Sequence, residues 1–286
     1  MEKTKGILFI ILSAISFGIM PILAKLSYRG GANTYTTLFL RFFFAAIMLF
    51  YYLKSKSISL KLSRKQLFFV LIIGVFGFTF ASASLFMSYN YISIGMATMI
   101  IYTYPAIVTL LSHIFYKEKI YPRKIISLII STLGIFILID MRSASFNLIG
   151  ILLAGSAAVL YSLYVLGASH KEFKVINSYV LTFYITCASA VMMFMAAITT
   201  QNFNMHISFY ALVAILLLAL ISTAVALMAF LEGVRIIGPS KASIFSTIEP
   251  IVALTLGIII LGEPISARII IGSIMIVTSV VILTME

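Results

Sequence analysis

The chain has no tryptophan, one cysteine, three histidines and eight acidic side chains among 286 residues. Cys187 lies alone in an apolar run, so neither an internal disulfide nor a thiolate metal site is available. His113, His170 and His206 do not recur at metal-ligand spacing. There is no phosphate-cradling glycine loop followed by Lys-Ser or Lys-Thr, and no nucleophile elbow. A membrane-embedded transferase would need acids or histidines clustered at one interface, and none are so placed. No enzyme activity, cofactor or metal is therefore expected. Charge is also scarce: 10% of residues are charged against 62% apolar, with a mean hydropathy of +1.17. A water-soluble domain with one core is excluded by that balance.

What the chain has instead is apolar runs of about 20 residues, the length a helix needs to cross about 30 Å of hydrocarbon. Ten are expected, at 6–26, 34–53, 67–89, 95–116, 123–140, 147–168, 177–199, 208–231, 240–261 and 266–284. The first follows Lys3 and Lys5 as a signal peptide would, but it is too long and lacks a small-residue cleavage pattern, so it reads as a span. The fold class is an all-α polytopic membrane protein whose partner is the lipid bilayer.

The formal net charge of +12 does not mark a nucleic-acid partner, because the basic residues sit in short connections and not on an amphipathic face. With the N-terminus inside, 15 of the 20 Lys and Arg residues fall on the cytoplasmic side, including Lys54, Lys56, Lys61, Arg64 and Lys65 in the longest connection. Lys25, Arg29, Arg41, Arg142 and Arg268 remain. Both termini are accordingly expected in the cytoplasm of a cell whose inner or plasma membrane holds the protein.

The segment 238–268, GPSKASIFSTIEPIVALTLGIIILGEPISAR, repeats the segment 93–123, SIGMATMIIYTYPAIVTLLSHIFYKEKIYPR. A shift of 145 places Pro105 on Pro250, Glu118 on Glu263 and Arg123 on Arg268. A shift of 144 relates Gly6 to Gly150, Phe17 to Tyr161, Tyr35 to Tyr179, Ala46 to Ala190 and Phe86 to Phe230. The halves, 1–145 and 146–286, each carry five expected spans, and an odd number gives the second half inverted topology.

These residues resemble a known family. PILAKLSYRGGANTYTTLFLRFFFAA, YTYPAIVTLL with YKEK, and IIGPSKASIFSTIEPIVALTLGIIILGEPIS are similar to the EamA family of the drug/metabolite transporter superfamily. The resemblance covers nearly the whole chain and implies a ten-helix bundle of two inverted five-helix repeats around a central cavity, moving small metabolites without ATP hydrolysis. With no tryptophan, any aromatic cage must come from the 15 Tyr and 23 Phe.

Glu249 is the one acid well inside a span, since Glu118, Asp140, Glu232 and Glu263 lie near ends. A mid-span acid is a functional-site candidate, because insertion penalises it by about 3 kcal/mol. Pro250 follows it and is expected to leave the Ser246 carbonyl without a partner. A carboxylate and a free carbonyl would suit a substrate ammonium, a proton or a sodium ion; alternatively Lys241, Arg41 or a Tyr hydroxyl satisfies the acid structurally. Its repeat partner is the uncharged Tyr104. Thr98, Tyr102, Pro105, Thr109 and Ser112 form a stripe at helical spacing, copied as Ser243, Thr247, Pro250, Leu254 and Gly257. Tyr102 and Thr247 are cavity candidates, while Thr109, Ser112 and Gly257 suit helix packing. Arg41, whose repeat partner is Ile185, either grips a substrate carboxylate or phosphate or snorkels to the outer interface, with snorkelling favoured.

Lys25 and Arg29 read as solvated, and Glu118 and Glu263 as caps or turn anchors before Pro122 and Pro264. Phe17, Phe80, Ser84 and Tyr161 are further lining candidates, against the ordinary packing role of aromatics. Gly74, Gly77, Gly95 and Gly238 are candidate pivots. The expected function is secondary transport of amino acids or related compounds by alternating access, with a proton or sodium as coupling ion. The alternative is a passive channel, or a carrier of drugs, nucleotide sugars or lipids. Oligomeric state is not legible in the sequence.

Overall fold

A computed structural model describes residues 2–92, 94–138, 147–170, 173, 176–261 and 267–284, and among these it is helical throughout, with no strand. Asp140, Arg142, Glu263, Pro264 and the junction between the two halves lie outside the described residues. The helices are α1 (Glu2–Gly18), α2 (Met20–Arg29), α3 (Thr34–Ser55), α4 (Arg64–Ile72), α5 (Phe80–Ser88), α6 (Ile94–Ile101), α7 (Tyr104–Tyr116) and α8 (Pro122–Leu138). The second half supplies α9 (Leu148–Ala168), α10 (Ser178–Thr199), α11 (Phe209–Ala219), α12 (Ala226–Ile237), α13 (Pro239–Phe245), α14 (Glu249–Leu261) and α15 (Ala267–Thr284). Among the described residues, six continuous helical stretches are long and apolar enough to cross a membrane: Glu2–Arg29, Thr34–Ser55, Arg64–Ser88, Leu148–Ala168, Ser178–Thr199 and Phe209–Ile237. Tyr104–Tyr116 and Ile270–Ile282 are shorter apolar helices.

The spans expected as single helices at 95–116 and 240–261 are each divided. In the first, α6 ends at Ile101 and α7 begins at Tyr104, with Pro105 in its opening turn. In the second, α13 passes through a 3₁₀ turn, Ser246–Ile248, into α14, which opens with Glu249 and Pro250. A proline lacks the N–H of a helix interior but costs nothing in a first turn, so each proline restarts a helix instead of kinking one.

The duplication is visible in the backbone. Asn33 and Asn177, 144 residues apart, cap α3 and α10 by accepting from the N–H groups of Thr36 and Tyr179. Ser63 and Ser208 cap α4 and α11 in the same way. Between α4 and α5 the helix widens into a π segment, Ile73–Thr79, and between α11 and α12 into another, Leu220–Val225. A π turn displaces carbonyls from their usual partners. Thr79 Oγ1 donates to the Gly74 carbonyl at 2.7 Å, and its repeat partner Thr223 donates to the Leu218 carbonyl at 2.9 Å.

Packing follows the same pairing. α3 lies against α10 and α8 against α15, each with its own copy, while α1 on α12 is matched by α9 on α5. α9 also contacts α6 and α7, as α1 contacts α13 and α14. Close approach needs glycine at some of these contacts: a Cβ on Gly77 would lie 2.8 Å from Tyr164 Cβ, and one on Gly233 2.5 Å from Ile10 Cγ1. Large apolar side chains such as Phe115, Phe209 and Tyr210 point outward, as a lipid-facing surface requires.

Candidate functional site

A cavity lies where the broken helices meet, lined by Phe17, Met20, Arg41, Phe78, Ala81, Ser82, Leu85, Ile101, Tyr102, Tyr104, Tyr161 and Glu249. The break between α6 and α7 brings Tyr102 and Tyr104 to it, and the break before α14 brings Glu249. Those two breaks are held together by side chains: the Tyr104 hydroxyl reaches the Ser243 carbonyl at 3.5 Å, and Thr109 Oγ1 pairs with Ser240 Oγ at 3.0 Å. Ser162, which donates to the Ala158 carbonyl at 2.7 Å, lies 3.4 Å from the Tyr104 carbonyl and sets α9 beside the first break.

Glu249 is half-buried and opens α14, where the positive end of the helix dipole favours an acid. The Ser246 carbonyl, expected to be free, instead accepts the N–H of Glu249 within the 3₁₀ turn. Tightening the turn uses up the acceptor that Pro250 would otherwise leave open, so the acid has no spare carbonyl beside it. Its neighbour is Tyr102, whose hydroxyl lies beside the Glu249 carboxyl but completes no hydrogen bond. Tyr102 is only 5% exposed, and an unsatisfied buried hydroxyl is costly. The rings of Tyr102 and Tyr104 are 6.0 Å apart, and Tyr161 stands edge-on to Tyr104 at 5.0 Å.

Arg41 does not snorkel. It is 1% exposed, and its Nε donates to Thr223 Oγ1 at 2.6 Å while Nη2 donates to the Ser222 carbonyl at 2.9 Å. The π segment of the second half thus holds the guanidinium of the first. Two turns into α3, its Cα sits about 10 Å along the axis from the helix start, too deep for the side chain to reach the interface. Neither Arg41 nor Glu249 forms an ion pair among the described residues.

Of the side chains expected at a site, Glu249, Tyr102, Tyr104, Phe17, Tyr161 and Arg41 line this cavity. Thr247 and Ser243 do not; their hydroxyls turn back to the carbonyls of Ile244 and Ser240. Phe80 and Ser84 also lie outside the lining, Phe80 being exposed against Phe76. Phe78, Ala81, Ser82 and Leu85 stand there instead, a face at i, i+3, i+4 and i+7 that periodicity alone reveals. Met20 and Ile101 carried no such signal. Thr109 packs helices, as expected, and Lys25 and Arg29 are exposed. Glu118 anchors the turn before α8 through a 2.7 Å ion pair with the buried Lys124. Gly74 and Gly77 fall in the first π segment, and Gly238 joins α12 to α13 at φ +84°. The side chain of Leu254, and residues Gly95 and Gly257 beyond their helical backbone, lie outside what is described.

The sequence model of the EamA-like transporter family matches residues 4–140 and again 148–285. An uncharacterized transporter from Clostridium kluyveri is 26% identical over 97% of this chain and 92% of its own length. Another from Archaeoglobus fulgidus is 27% identical over 71% of this chain and 72% of its own. A crystal structure, 15% identical, superposes with a TM-score of 0.84 over 99% of this chain and 97% of that one, a likeness of fold.

Proposed function

Since the chain belongs to the EamA-like transporter family and is a multi-pass membrane transporter, we propose that it carries a small zwitterion, an amino acid or a related compound, by alternating access. In this reading the helices make ten crossings as two inverted five-helix repeats, 1–145 and 146–286, with both termini cytoplasmic and a proton or sodium as coupling ion. The observation that carries it is one cavity lined by an acid and a guanidinium that do not pair with each other. Keeping both groups ionised in a low-dielectric bundle without counter-charges is expensive, and a ligand bearing the opposite pair offsets both costs. The aromatic rings of Phe17, Phe78, Tyr102, Tyr104 and Tyr161 supply the apolar wall that the rest of such a molecule needs. Gly74, Gly77 and Gly238 are the pivots of the motion.

A thermal-shift screen of the purified protein against metabolites tests the substrate class, because a ligand of the folded state raises its melting temperature. Amino acids are expected among the stabilisers; stabilisation by nucleotide sugars or lipids alone overturns the zwitterion. Counterflow in proteoliposomes tests the mechanism. Saturable exchange is expected, and flux that rises linearly without exchange identifies a passive channel.

A further inference from the structure

Arg41 is a buried charge with no counter-charge among the described residues. It also lines the cavity. A guanidinium has five N–H donors in a planar fork. Nε and one N–H of Nη2 are spent on Thr223 Oγ1 and the Ser222 carbonyl, both neutral. Nη1 has only the thioether of Met20, at 3.3 Å, a weak acceptor. One further N–H on each Nη is without a partner among the described residues. Phe42 and Phe86 lie 5.2 and 5.4 Å from Cζ, which favours a cation but offers no lone pair.

The arrangement is that of an anion-binding fork fixed on one edge and left open on the other. The fixed edge matters because Ser222 is itself anchored: its hydroxyl donates to the Ser16 carbonyl at 2.7 Å, so the cradle is braced against α1. The open edge faces Met20, the first residue of α2, directly after the turn that ends α1. A thioether on an unbranched chain moves aside easily.

We infer that the Nη1 edge of Arg41 is a carboxylate subsite, and that Met20 is its placeholder, displaced when a monocarboxylate enters. Planar, bidentate recognition by guanidinium suits a carboxylate. The inference rests on reading the cavity as the transport site, and it assigns the acidic end of the substrate to Arg41 just as Glu249 takes the basic end.

The test uses the purified full chain in detergent, in a buffer whose only anion is methanesulfonate, with isovalerate, isovaleramide and isoamylamine as probes. Isovalerate is expected to raise the melting temperature saturably, and the isosteric amide is not. Met20→Glu supplies a built-in carboxylate to the fork. It is expected to melt above Met20→Gln without ligand and to weaken isovalerate at least tenfold, while Met20→Gln weakens it less than threefold. Wild type that ignores isovalerate, or Met20→Glu that responds as wild type does, overturns the subsite. Equal stabilisation by chloride overturns its carboxylate character. If isoamylamine stabilises wild type but not Glu249→Gln while isovalerate does nothing, the subsite fails and the proposed function's acid stands. If neither probe binds, both fail.

Discussion

The two π segments provide an internal control for the worth of the Arg41 cradle. Thr79→Val and Thr223→Val are near-isosteric, and each removes a hydroxyl that donates to the carbonyl five residues back. They differ in what else the oxygen meets. Thr79 Oγ1 shares a 2.7 Å bond with Ser189 Oγ, whereas Thr223 Oγ1 accepts 2.6 Å from a buried guanidinium. A neutral hydrogen bond contributes about 1 kcal/mol net and one to a charged group about 1.5–3. Thr79→Val should therefore cost about 1–2 kcal/mol and Thr223→Val about 2–4. A double-mutant cycle of Thr223→Val with Arg41→Met isolates the charged bond. Interhelical polar bonds measured by such cycles in membrane proteins reach at most about 1.7 kcal/mol, so coupling of about 1.5 kcal/mol is expected. Equilibrium unfolding in mixed micelles, read by helix content, gives all four corners. A coupling below about 0.5 kcal/mol, well under the charge-assisted range, or a Thr223→Val cost no larger than that of Thr79→Val, refutes the reasoning.

Glu249→Gln should abolish accumulation driven by a pH gradient and leave counterflow partly intact if the acid exchanges a proton for substrate, and weaken binding and counterflow alike if it only holds an ammonium. Normal affinity and normal pH dependence in proteoliposomes would return Glu249 to a structural role. Gly238→Ala should cost about 1–3 kcal/mol from backbone strain alone, since φ is +84° with ψ 162° and no atom lies within 4 Å of the added Cβ. Gly77→Ala should cost a similar amount for the opposite reason, at ordinary φ but against the α9 backbone, with Tyr164 Cα 3.0 Å from the new Cβ. Thermal unfolding in detergent checks both.

Much of this architecture is legible from spacing. The repeated proline after Tyr104 and after Glu249 is legible and coincides with the two helix breaks, although both spans read as single helices, and the mid-span acid lines the cavity they form. Phe17 and Tyr161, related by 144 residues, both line it, so the repeat itself points to lining positions. The π segments leave no such trace. Thr79, and Ser222 with Thr223, are short polar interruptions of apolar runs with no helical spacing of their own, and a π turn shifts the phase of the helix beyond it. Polarity then misleads: Phe80 and Ser84 are a suggestive pair at i, i+4, yet the face that meets the cavity is the largely apolar one running from Phe78 to Leu85. Arg41 is misjudged by charge alone, because what keeps it inside is a carbonyl and a hydroxyl from a segment 182 residues away.

The repeats share a backbone but not the charge at Arg41, and the occupancy of Thr79 offers a testable reason. Its repeat partner Ile185 is fully buried and packs against Gly74, in the first π segment. An arginine there would find the equivalents of its cradle, Thr79 Oγ1 and the Phe78 carbonyl. Thr79 Oγ1, however, already pairs with Ser189, whose own repeat partner is Ala45. Alanine at 45 leaves Thr223 open to a guanidinium, and serine at 189 closes Thr79 to one. Ile185→Arg alone should then cost about 3–5 kcal/mol, the usual result of an uncompensated buried charge. Ser189→Ala alone should cost about 1 kcal/mol for the lost hydroxyl pair. Together they should not add: freeing Thr79 gives the new arginine an acceptor, so Ile185→Arg with Ser189→Ala should be more stable than Ile185→Arg by about 1 kcal/mol or more. The same micelle unfolding assay measures it. Simple additivity, with the double variant less stable than either single one, would show that occupancy of Thr79 is not what keeps position 185 uncharged.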